Sequence, residues 1–222
     1  MSKFETPVSV SNASLLTRIA GEQSLAAKML APTETEQRKL GYFHTLREIL
    51  QQPATWVQTG QELAPLAEGL LQSIAGIRAM VLTGSGSSEY AGECVRLPLQ
   101  NSLSIPVETI GGGMLLTYDG KGIGPERPGL MVSLARSGDS PESVGAVSLI
   151  LETEPAIRHL IVTCNAEGRL ATTYRDEPRV SVIVLADETN DRGLAMTSSF
   201  TNMVLAAGFL GMLRTPERYL GL

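Results

Sequence analysis

The sequence predicts a doubly wound α/β domain with a five-stranded parallel sheet, preceded by a helical extension. Three observations predict this fold class. Five short apolar runs lie between residues 77 and 185 without alternating apolar and polar residues. Amphipathic helical patterns separate the runs, and turns rich in glycine and serine follow the first and the third. Strands that are apolar on both faces are typical of parallel sheets covered by helices, and right-handed crossovers favour a flavodoxin-like strand order.

Residues 1–75 are expected to form the helical extension. A second helix of this extension is expected to start after Thr33 or Thr35, with Glu36 in its first turn, and to be broken by Pro53. A third is expected from Trp56 to Ile74. The first helix is predicted from an apolar pattern that ends before Pro32 and comprises Leu15, Leu16, Ile19, Ala20, Leu25, Ala26, Met29 and Leu30.

Residues 76–215 are expected to form the sheet domain. Residues 111–128, rich in glycine and proline towards their end, are expected to be an irregular crossover. The predicted strands are 77–82, 106–110, 129–134, 159–163 and 180–185, and the predicted helices are 89–97, 141–152, 169–174 and 195–213.

Composition excludes several classes of function. The chain has 222 residues, 43% of them hydrophobic, and a net charge of −5, so neither nucleic acid nor an anionic membrane is an expected partner. With two cysteines and two histidines, we expect no metal site and no cofactor. Cys94 and Cys164 are expected to be buried free thiols, His159 to be structural, and His44 to be solvated or packed on its helix. We find neither a signal peptide nor a membrane span and expect a cytoplasmic protein.

Two hydroxyl-rich turns follow predicted strands and indicate an anion site. Ser85-Gly86-Ser87-Ser88 follows the first strand, and Ser137-Gly138-Asp139-Ser140 follows the third. Glycines expose backbone N–H groups, serines add hydroxyl donors, and each following helix directs its N-terminus at the same place. Ser140 suits an N-cap and Pro141 the first helical position. Because neither turn contains lysine, we expect a phosphate to be held by hydroxyl and backbone groups.

Dinucleotide binding is the main alternative for these turns. Gly84 and Gly86 follow a strand, and Glu108 lies further along, as in a Rossmann fingerprint. Glu89, however, occupies the place of the third glycine, where a carboxylate opposes close packing near a pyrophosphate. A P-loop is excluded because no Gly-Lys-Ser/Thr follows.

The two turns, with their flanking residues, resemble the signature loops of the SIS (sugar isomerase) domain. The segments that carry this resemblance are Thr83-Gly84-Ser85-Gly86-Ser87-Ser88, residues 135–143, and Thr163-Cys164-Asn165-Ala166-Glu167-Gly168. Within SIS proteins, residues 191–200 resemble the galactosamine-6-phosphate deaminase/isomerase family, also described as tagatose-6-phosphate ketose/aldose isomerases. Thr35-Glu36-Gln37 and Gln52-Pro53-Ala54-Thr55-Trp56 fit the leading helices of that family, so the resemblance covers nearly the whole chain.

The resemblance implies a five-stranded SIS sheet and an enzyme of sugar-phosphate metabolism. The implied reaction converts galactosamine 6-phosphate to tagatose 6-phosphate and ammonia, so the substrate is a phosphorylated amino sugar or a ketohexose phosphate, and a homo-oligomer is expected. For Asp191 and Arg192, a surface ion pair or helix entry stays as open as a role in the site. The implied phosphate ligands are Ser87, Ser88, the N–H of Arg136, Ser137, Gly138 and Ser140, and the implied sugar contacts are Ser85, Gly86, Leu194, Ala195 and Ser198.

The length of the chain departs from the family pattern. Members resemble tandem proteins with two SIS domains, and the acid/base glutamate of related isomerases lies in the second. No residue of this chain matches that glutamate, so its catalytic residue is unknown. We therefore expect either one domain of such an enzyme or a single-domain version completed by oligomerisation. A non-catalytic module that binds a sugar phosphate is the alternative.

Overall fold

The computed structural model describes residues 17–18, 21 and 24–220, and these form a parallel α/β sheet with helices on both faces. The predicted helix residues Leu15, Leu16, Ile19 and Ala20 lie outside the described residues. The helices are α1 (Ser24–Leu30), α2 (Glu34–Lys39), α3 (Phe43–Leu63), α4 (Ala67–Ile74), α5 (Ser87–Leu103), α6 (Gly112–Thr117), α7 (Pro141–Thr153), α8 (Arg169–Tyr174), α9 (Ser198–Phe209) and α10 (Pro216–Leu220), with 3₁₀ turns at Ala64–Leu66 and Asp187–Thr189. The strands are β1 (Ala79–Thr83), β2 (Val107–Thr109), β3 (Gly129–Ala135), β4 (Ile157–Thr163) and β5 (Val180–Val184).

The five strands are parallel, and their order across the sheet is β2-β1-β3-β4-β5. This is the expected flavodoxin-like order, so the predicted fold class is confirmed. The register pairs Thr83 of β1 with Ser133 of β3, and Ala135 of β3 with Thr163 of β4. The carboxyl ends of these three strands therefore lie side by side, and the loops that follow them share one edge of the sheet.

Each face of the sheet buries its own apolar core. All seven residues of β3 are buried, as expected for a central parallel strand. Leu82 and Val132 lie in the core that includes residues of α5 and α9, whereas Val81 and Met131 lie in the core that includes residues of α7 and α8. These alternating side chains fix the strands between two helical layers, because the period of a strand is two residues.

Helix α2 begins at the predicted cap. The Thr33 hydroxyl accepts the Glu36 N–H at 3.3 Å, and the Glu36 carboxylate accepts the Thr33 N–H at 2.8 Å. This reciprocal pair satisfies two donors of the first turn. The helix ends at Lys39, so the expectation of one helix from this cap to Pro53 is wrong. Gly41, with φ of 82°, takes the left-handed conformation that turns the chain into α3.

The expected helix break at Pro53 is wrong. Helix α3 runs from Phe43 to Leu63 with Pro53 inside it. Proline has no N–H for the carbonyl four residues earlier, which here belongs to Ile49. That carbonyl instead accepts the side-chain amide of Gln52 at 3.3 Å, and Pro53 itself is exposed. The third predicted helix is divided, because the 3₁₀ turn around Pro65 separates α3 from α4.

Other boundaries also differ from the prediction. Residues 112–117 form the short helix α6 instead of an irregular crossover, and α6 packs on α7. Helix α5 continues through the exposed Pro98, where water can satisfy the carbonyl left free. Helix α9 begins at Ser198, after the expected start at Ala195. None of the helices in the described part of the chain is long and apolar enough to span a bilayer.

The two cysteines are free, as expected, but only Cys164 is buried. Cys94 is exposed, so its predicted burial is wrong. It lies on α5 between Ala91 and Val95, whose side chains face the core. Successive side chains of a helix point in different directions, so the Cys94 side chain, directly before Val95, faces outward.

Candidate functional site

The two hydroxyl-rich loops meet at the carboxyl edge of the sheet. The Ser85 hydroxyl oxygen lies 3.1 Å from the Ser143 hydroxyl oxygen, and the Ser140 hydroxyl donates to Ser143 at 2.7 Å. The Ser140 hydroxyl oxygen also lies 3.5 Å from the Ser85 hydroxyl oxygen. The loop after β1 and the start of α7 therefore share one cluster of three hydroxyls, which we call the hydroxyl cluster (Ser85, Ser140 and Ser143).

Two glycines shape the loop after β1. Gly86 has φ of 58° and ψ of −126°, a backbone conformation that residues with a Cβ rarely adopt. A Cβ on Gly84 would lie 2.7 Å from the Glu89 nitrogen, so the loop folds back directly onto the start of α5. This tight turn places Ser85 beside the hydroxyl cluster and leaves Ser87 exposed and Ser88 buried in the first turn of α5.

The loop after β3 also depends on a glycine. Gly138 has φ of 70°, and a Cβ there would lie 3.2 Å from the Thr163 hydroxyl oxygen. The Asp139 N–H donates to the Ser137 hydroxyl at 3.3 Å. Ser140 occupies the N-cap of α7 and Pro141 its first position, both as predicted. The Ser140 hydroxyl makes no capping bond to the helix backbone, so it is directed to the hydroxyl cluster.

The loop after β4 is hydrogen-bonded to the loop after β3. The Asn165 side-chain amide donates to the Ser137 carbonyl at 2.9 Å, and the Arg169 N–H donates to the Asp139 carboxylate at 2.9 Å. A Cβ on Gly168 would overlap the Ser137 carbonyl oxygen. The third SIS-like segment therefore holds the backbone of the second in place.

Helix ends give this edge a positive field. Helices α5 and α7 begin at the two loops, so their positive dipole ends point to this edge. In the first turn of α5, the N–H groups of Ser88 and Glu89 donate to the carbonyls of Ser85 and Gly86. Helix N-termini joined to glycine-containing turns are common binding places for phosphate. The arrangement can hold an anion with neutral hydroxyl and backbone donors.

A third segment, residues 191–197, approaches the loop after β3. The Arg136 guanidinium donates to the Gly193 carbonyl at 3.0 Å. Leu194 is 98% exposed and Ala195 is exposed, so both are accessible beside this contact. Asp191 is buried, and its carboxylate accepts the N–H groups of Thr197 at 2.7 Å and Ser199 at 2.9 Å. Of the two readings left open for Asp191, the helix-entry reading matches this geometry.

Ser198 lies apart from the hydroxyl cluster. It is fully buried at the start of α9, and its hydroxyl donates to the Glu48 carbonyl at 2.7 Å. The Gln51 side chain donates to the same hydroxyl at 2.9 Å. Both hydrogen-bonding sides of the Ser198 hydroxyl are therefore occupied by α3.

His159 lies away from this edge, and Cys164, which directly follows β4, is buried at it. His159 lies near the start of β4, away from the carboxyl end, and burial lowers its pKa to about 4, with Arg179 adding to the effect. Burial raises the pKa of the Cys164 thiol to about 12. His44 lies on α3, where its ring nitrogen is 2.9 Å from an Arg38 nitrogen. Across residues 17–18, 21 and 24–220, no cluster of potential metal ligands is present.

Known proteins are similar to this chain in both sequence and structure, although no protein-family model matches it. A Streptomyces coelicolor protein provisionally named D-galactosamine-6-phosphate deaminase is 40% identical over 169 residues, which are 74% of this chain and 44% of that protein. A D-galactosamine-6-phosphate deaminase from a Shewanella species is 35% identical over 173 residues, 75% of this chain and 45% of that protein. A solved Clostridium novyi structure, provisionally named a tagatose-6-phosphate ketose/aldose isomerase, has a TM-score of 0.80 and 31% identity over 86% of this chain and 50% of that one.

The chain has the fold of an SIS domain and is similar to phosphosugar deaminases and isomerases. It spans about half the length of the curated relatives that it matches. The resemblance expected from the loop motifs is thereby confirmed.

The SIS domain brings together most of the residues predicted for the site. Ser85, Gly86, Ser87 and Ser88 lie in the first loop, and Arg136, Ser137, Gly138 and Ser140 in the second, at one sheet edge. Leu194 and Ala195 join them through the Arg136–Gly193 contact. Their roles in ligand binding stay predictions.

Sequence reasoning missed three residues of the SIS site. Ser143 follows Ser140 by three residues, and this i, i+3 spacing on a helix was a signal that the two hydroxyls meet. Glu89 was noted only as an obstacle to a pyrophosphate, yet its carboxylate lies so close to Gly111 that a Cβ there would be 2.6 Å from an oxygen. Glu48 gave no local signal, because the backbone groups it binds lie 144 and 145 residues further along the chain.

Proposed function

We propose that this SIS domain binds the phosphate of a phosphorylated amino sugar and forms part of a galactosamine-6-phosphate deaminase/isomerase. The observation that carries the proposal is the meeting of two serine-rich loops, each at a helix N-terminus, in one hydroxyl cluster. The names of the relatives support the substrate class. The proposed reaction converts galactosamine 6-phosphate to tagatose 6-phosphate and ammonia.

The phosphate is proposed to bind between the first turns of α5 and α7. Ser87 is exposed there, and Ser137 and Ser140 are partly exposed. Hydrogen bonds from these donors to a charged phosphate are stronger than those between neutral groups, since one partner is ionised. Ser88, Arg136 and Gly138 supply further backbone groups to this proposed site.

The amino group of the sugar is proposed to face Glu89. The Glu89 carboxylate lies beside Gly111 at the same end of the sheet and accepts no hydrogen bond from any residue within the described ranges. It is partly buried and forms no ion pair with another described residue, so it is free to pair with a bound ammonium group. Ser85, which contacts Ser140 and Ser143, and the neighbouring Gly86 are proposed to contact sugar hydroxyls.

A non-catalytic sugar-phosphate-binding module is the second candidate. Aldose–ketose conversion needs a group that moves a proton between adjacent carbons. His159 lies at the other end of its strand, and burial keeps Cys164 a neutral thiol. These positions favour a module that holds the substrate, whereas a catalytic chain would have to use the Glu89 carboxylate as its acid/base.

Ammonia release separates the two candidates. Titration of the 222-residue chain with galactosamine 6-phosphate, followed by an enzymatic ammonia assay, should show binding in both cases and ammonia only if the chain is catalytic. Galactose 6-phosphate, which lacks the amino group, is the matched ligand. If neither ligand binds, the proposed substrate class is wrong.

Glu89→Gln tests the proposed contact with the amino group. The variant should lose most of the preference for galactosamine 6-phosphate over galactose 6-phosphate while keeping its affinity for the latter. Glu93→Gln, one turn further along α5 where the carboxylate binds Arg96 at 2.9 Å, is the control and should keep the preference. An unchanged preference in Glu89→Gln would place the amino group elsewhere.

We also propose that the protein acts in the cytoplasm as a homo-oligomer. The support for self-association is a set of large apolar side chains exposed on α5 and α6, namely Tyr90, Leu97, Met114, Leu116 and Tyr118. Sedimentation velocity at several concentrations tests it: a single monomeric species throughout would contradict it.

A further inference from the structure

The segment of residues 191–197 is held by a buried carboxylate from the helical extension. Glu48 of α3 is 7% exposed, and one of its oxygens accepts the Arg192 N–H at 2.6 Å and the Gly193 N–H at 2.9 Å. Two consecutive backbone donors on one buried carboxylate are charge-assisted hydrogen bonds, and they satisfy a charge that burial would otherwise make costly. Glu48 is therefore fixed to the backbone of a segment far away in sequence.

Gly193 connects Glu48 to the loop after β3. Its N–H donates to Glu48, and its carbonyl accepts the Arg136 guanidinium at 3.0 Å. A Cβ at position 193 would lie 2.6 Å from a Glu48 oxygen and 2.7 Å from the Thr45 hydroxyl oxygen. The close approach therefore requires glycine at this position. Glu48 of α3 binds the peptide group before Gly193, and Arg136 of the loop after β3 binds the peptide group after it.

Several polar side chains of α3 form hydrogen bonds with residues 188–202. Besides Glu48, Gln51 donates to the Glu188 carbonyl at 2.6 Å, and Thr59 donates to Asn202 at 2.7 Å. These side chains lie at helical spacing along one side of α3, and their partners all lie between residues 188 and 202. A buried polar seam of this kind fixes a unique arrangement of the elements it joins, because every misplacement leaves a polar group unpaired.

We propose that Glu48 is a positioning residue. It holds the N–H of Gly193, whose carbonyl binds Arg136, and thereby fixes the exposed residues Leu194 and Ala195 beside the loop after β3. The proposal deepens the proposed function and rests on it in one respect, namely that the positioned surface contacts the sugar part of the ligand. Glu48 itself is buried beneath the segment and acts through the backbone that it holds.

The test compares Glu48→Ala and Glu48→Gln with Thr59→Ala in the 222-residue chain. Thr59→Ala is the matched control, since Thr59 is also buried on α3 and binds Asn202 of α9, but makes no hydrogen bond to residues 191–197. Amide hydrogen exchange at Arg192 and Gly193 is the readout that does not depend on a ligand. Galactosamine 6-phosphate and inorganic phosphate are the two ligands titrated.

In Glu48→Ala, exchange at the Arg192 and Gly193 amides should become at least about tenfold faster, as expected when a hydrogen bond to a charged group is lost. The Thr197 and Ser199 amides, which donate to Asp191, should keep their protection. Affinity for galactosamine 6-phosphate should fall by about tenfold while affinity for inorganic phosphate changes little. Glu48→Gln keeps a carbonyl acceptor and should recover part of both effects, and Thr59→Ala should show neither.

Unchanged exchange at Arg192 and Gly193 in Glu48→Ala would overturn the positioning role. Equal losses of affinity for both ligands, or the same losses in Thr59→Ala, would also overturn it, because they would indicate general destabilisation. If the wild-type chain binds neither ligand, the proposed function fails, and the exchange data still decide whether Glu48 holds the segment.

Discussion

At the scale of single residues, the site depends on hydroxyl groups instead of charged side chains. Ser85, Ser140 and Ser143 lie within 3.5 Å of one another along their hydrogen bonds, and neither loop contains lysine. A hydroxyl is both donor and acceptor, so the hydrogen-bonded cluster can reorient its donors towards an anion without moving a charged side chain. This chemistry suits a phosphate that must be bound and released.

Replacing Ser137 and Ser140 together by alanine should weaken the binding of galactosamine 6-phosphate by at least about tenfold. A hydrogen bond to a charged group contributes about 1.5–3 kcal/mol, and the Ser140 hydroxyl does not cap α7, so the helix should stay intact. Calorimetric titration measures the effect. Ser148→Ala is the control on the same helix, because Ser148 bonds Tyr174 at 2.6 Å and should leave the affinity unchanged.

His159 makes stability depend on pH through burial. Both ring nitrogens are buried without a hydrogen-bond partner among the described residues, and burial lowers the pKa from 6.5 to about 4. Below pH 6.5 the unfolded chain therefore binds a proton at His159 that the folded chain does not bind until the pH approaches 4. Stability falls as the pH is lowered from 6.5 towards 4, and below that range both states are protonated and the effect levels off.

His159→Leu should remove this dependence. His159 alone should cost the wild type on the order of 3 kcal/mol of unfolding free energy across this range. The total loss in the variant should be smaller than that of the wild type by this contribution. Urea denaturation at pH 7 and pH 4.5 measures the difference. His44→Gln is the control and should keep the wild-type loss; a parallel pH profile in His159→Leu would contradict the assignment.

At the scale of elements, α3 shows where sequence reasoning succeeds and where it fails. The cap of α2 at Thr33 was predictable because a capping box is a local pattern. The continuation of α3 through Pro53 was not, since it depends on a side-chain bond from Gln52 to the free Ile49 carbonyl. The contacts of α3 with residues 188–202 could not be predicted either, because no local sequence pattern connects positions so far apart in the chain.

Pro53→Ala should stabilise the protein. Alanine restores the N–H that the Ile49 carbonyl lacks and removes the steric conflict of proline inside a helix, which together favour a gain of about 1–3 kcal/mol. Urea denaturation with an unchanged m-value measures it. Pro141→Ala is the matched control: proline suits the first position of α7, so this variant should show no gain. A loss of stability in Pro53→Ala would show that the helix needs the proline.

At the scale of the whole molecule, the sheet and its helices bring three distant segments to one edge. The strand order β2-β1-β3-β4-β5 makes β1, β3 and β4 neighbours, so the loops that follow them meet. The shared edge was predictable, because loops that follow parallel strands all lie at the carboxyl ends of the strands; the strand order was an expectation between the common doubly wound orders. The division into residues 1–75 and 76–215 stays a prediction, and α3 is bound closely to α9 across it.

The most direct test of the central claim is a binding experiment followed at individual amides. Nuclear magnetic resonance titration of the labelled chain with galactosamine 6-phosphate should shift the backbone amides of residues 85–88 and 136–140 together, with a single affinity. Unphosphorylated galactosamine should leave those amides unchanged, because the phosphate is what the two loops hold. Shifts confined to other regions, or equal shifts with both sugars, would contradict the claim that these loops form a phosphate site.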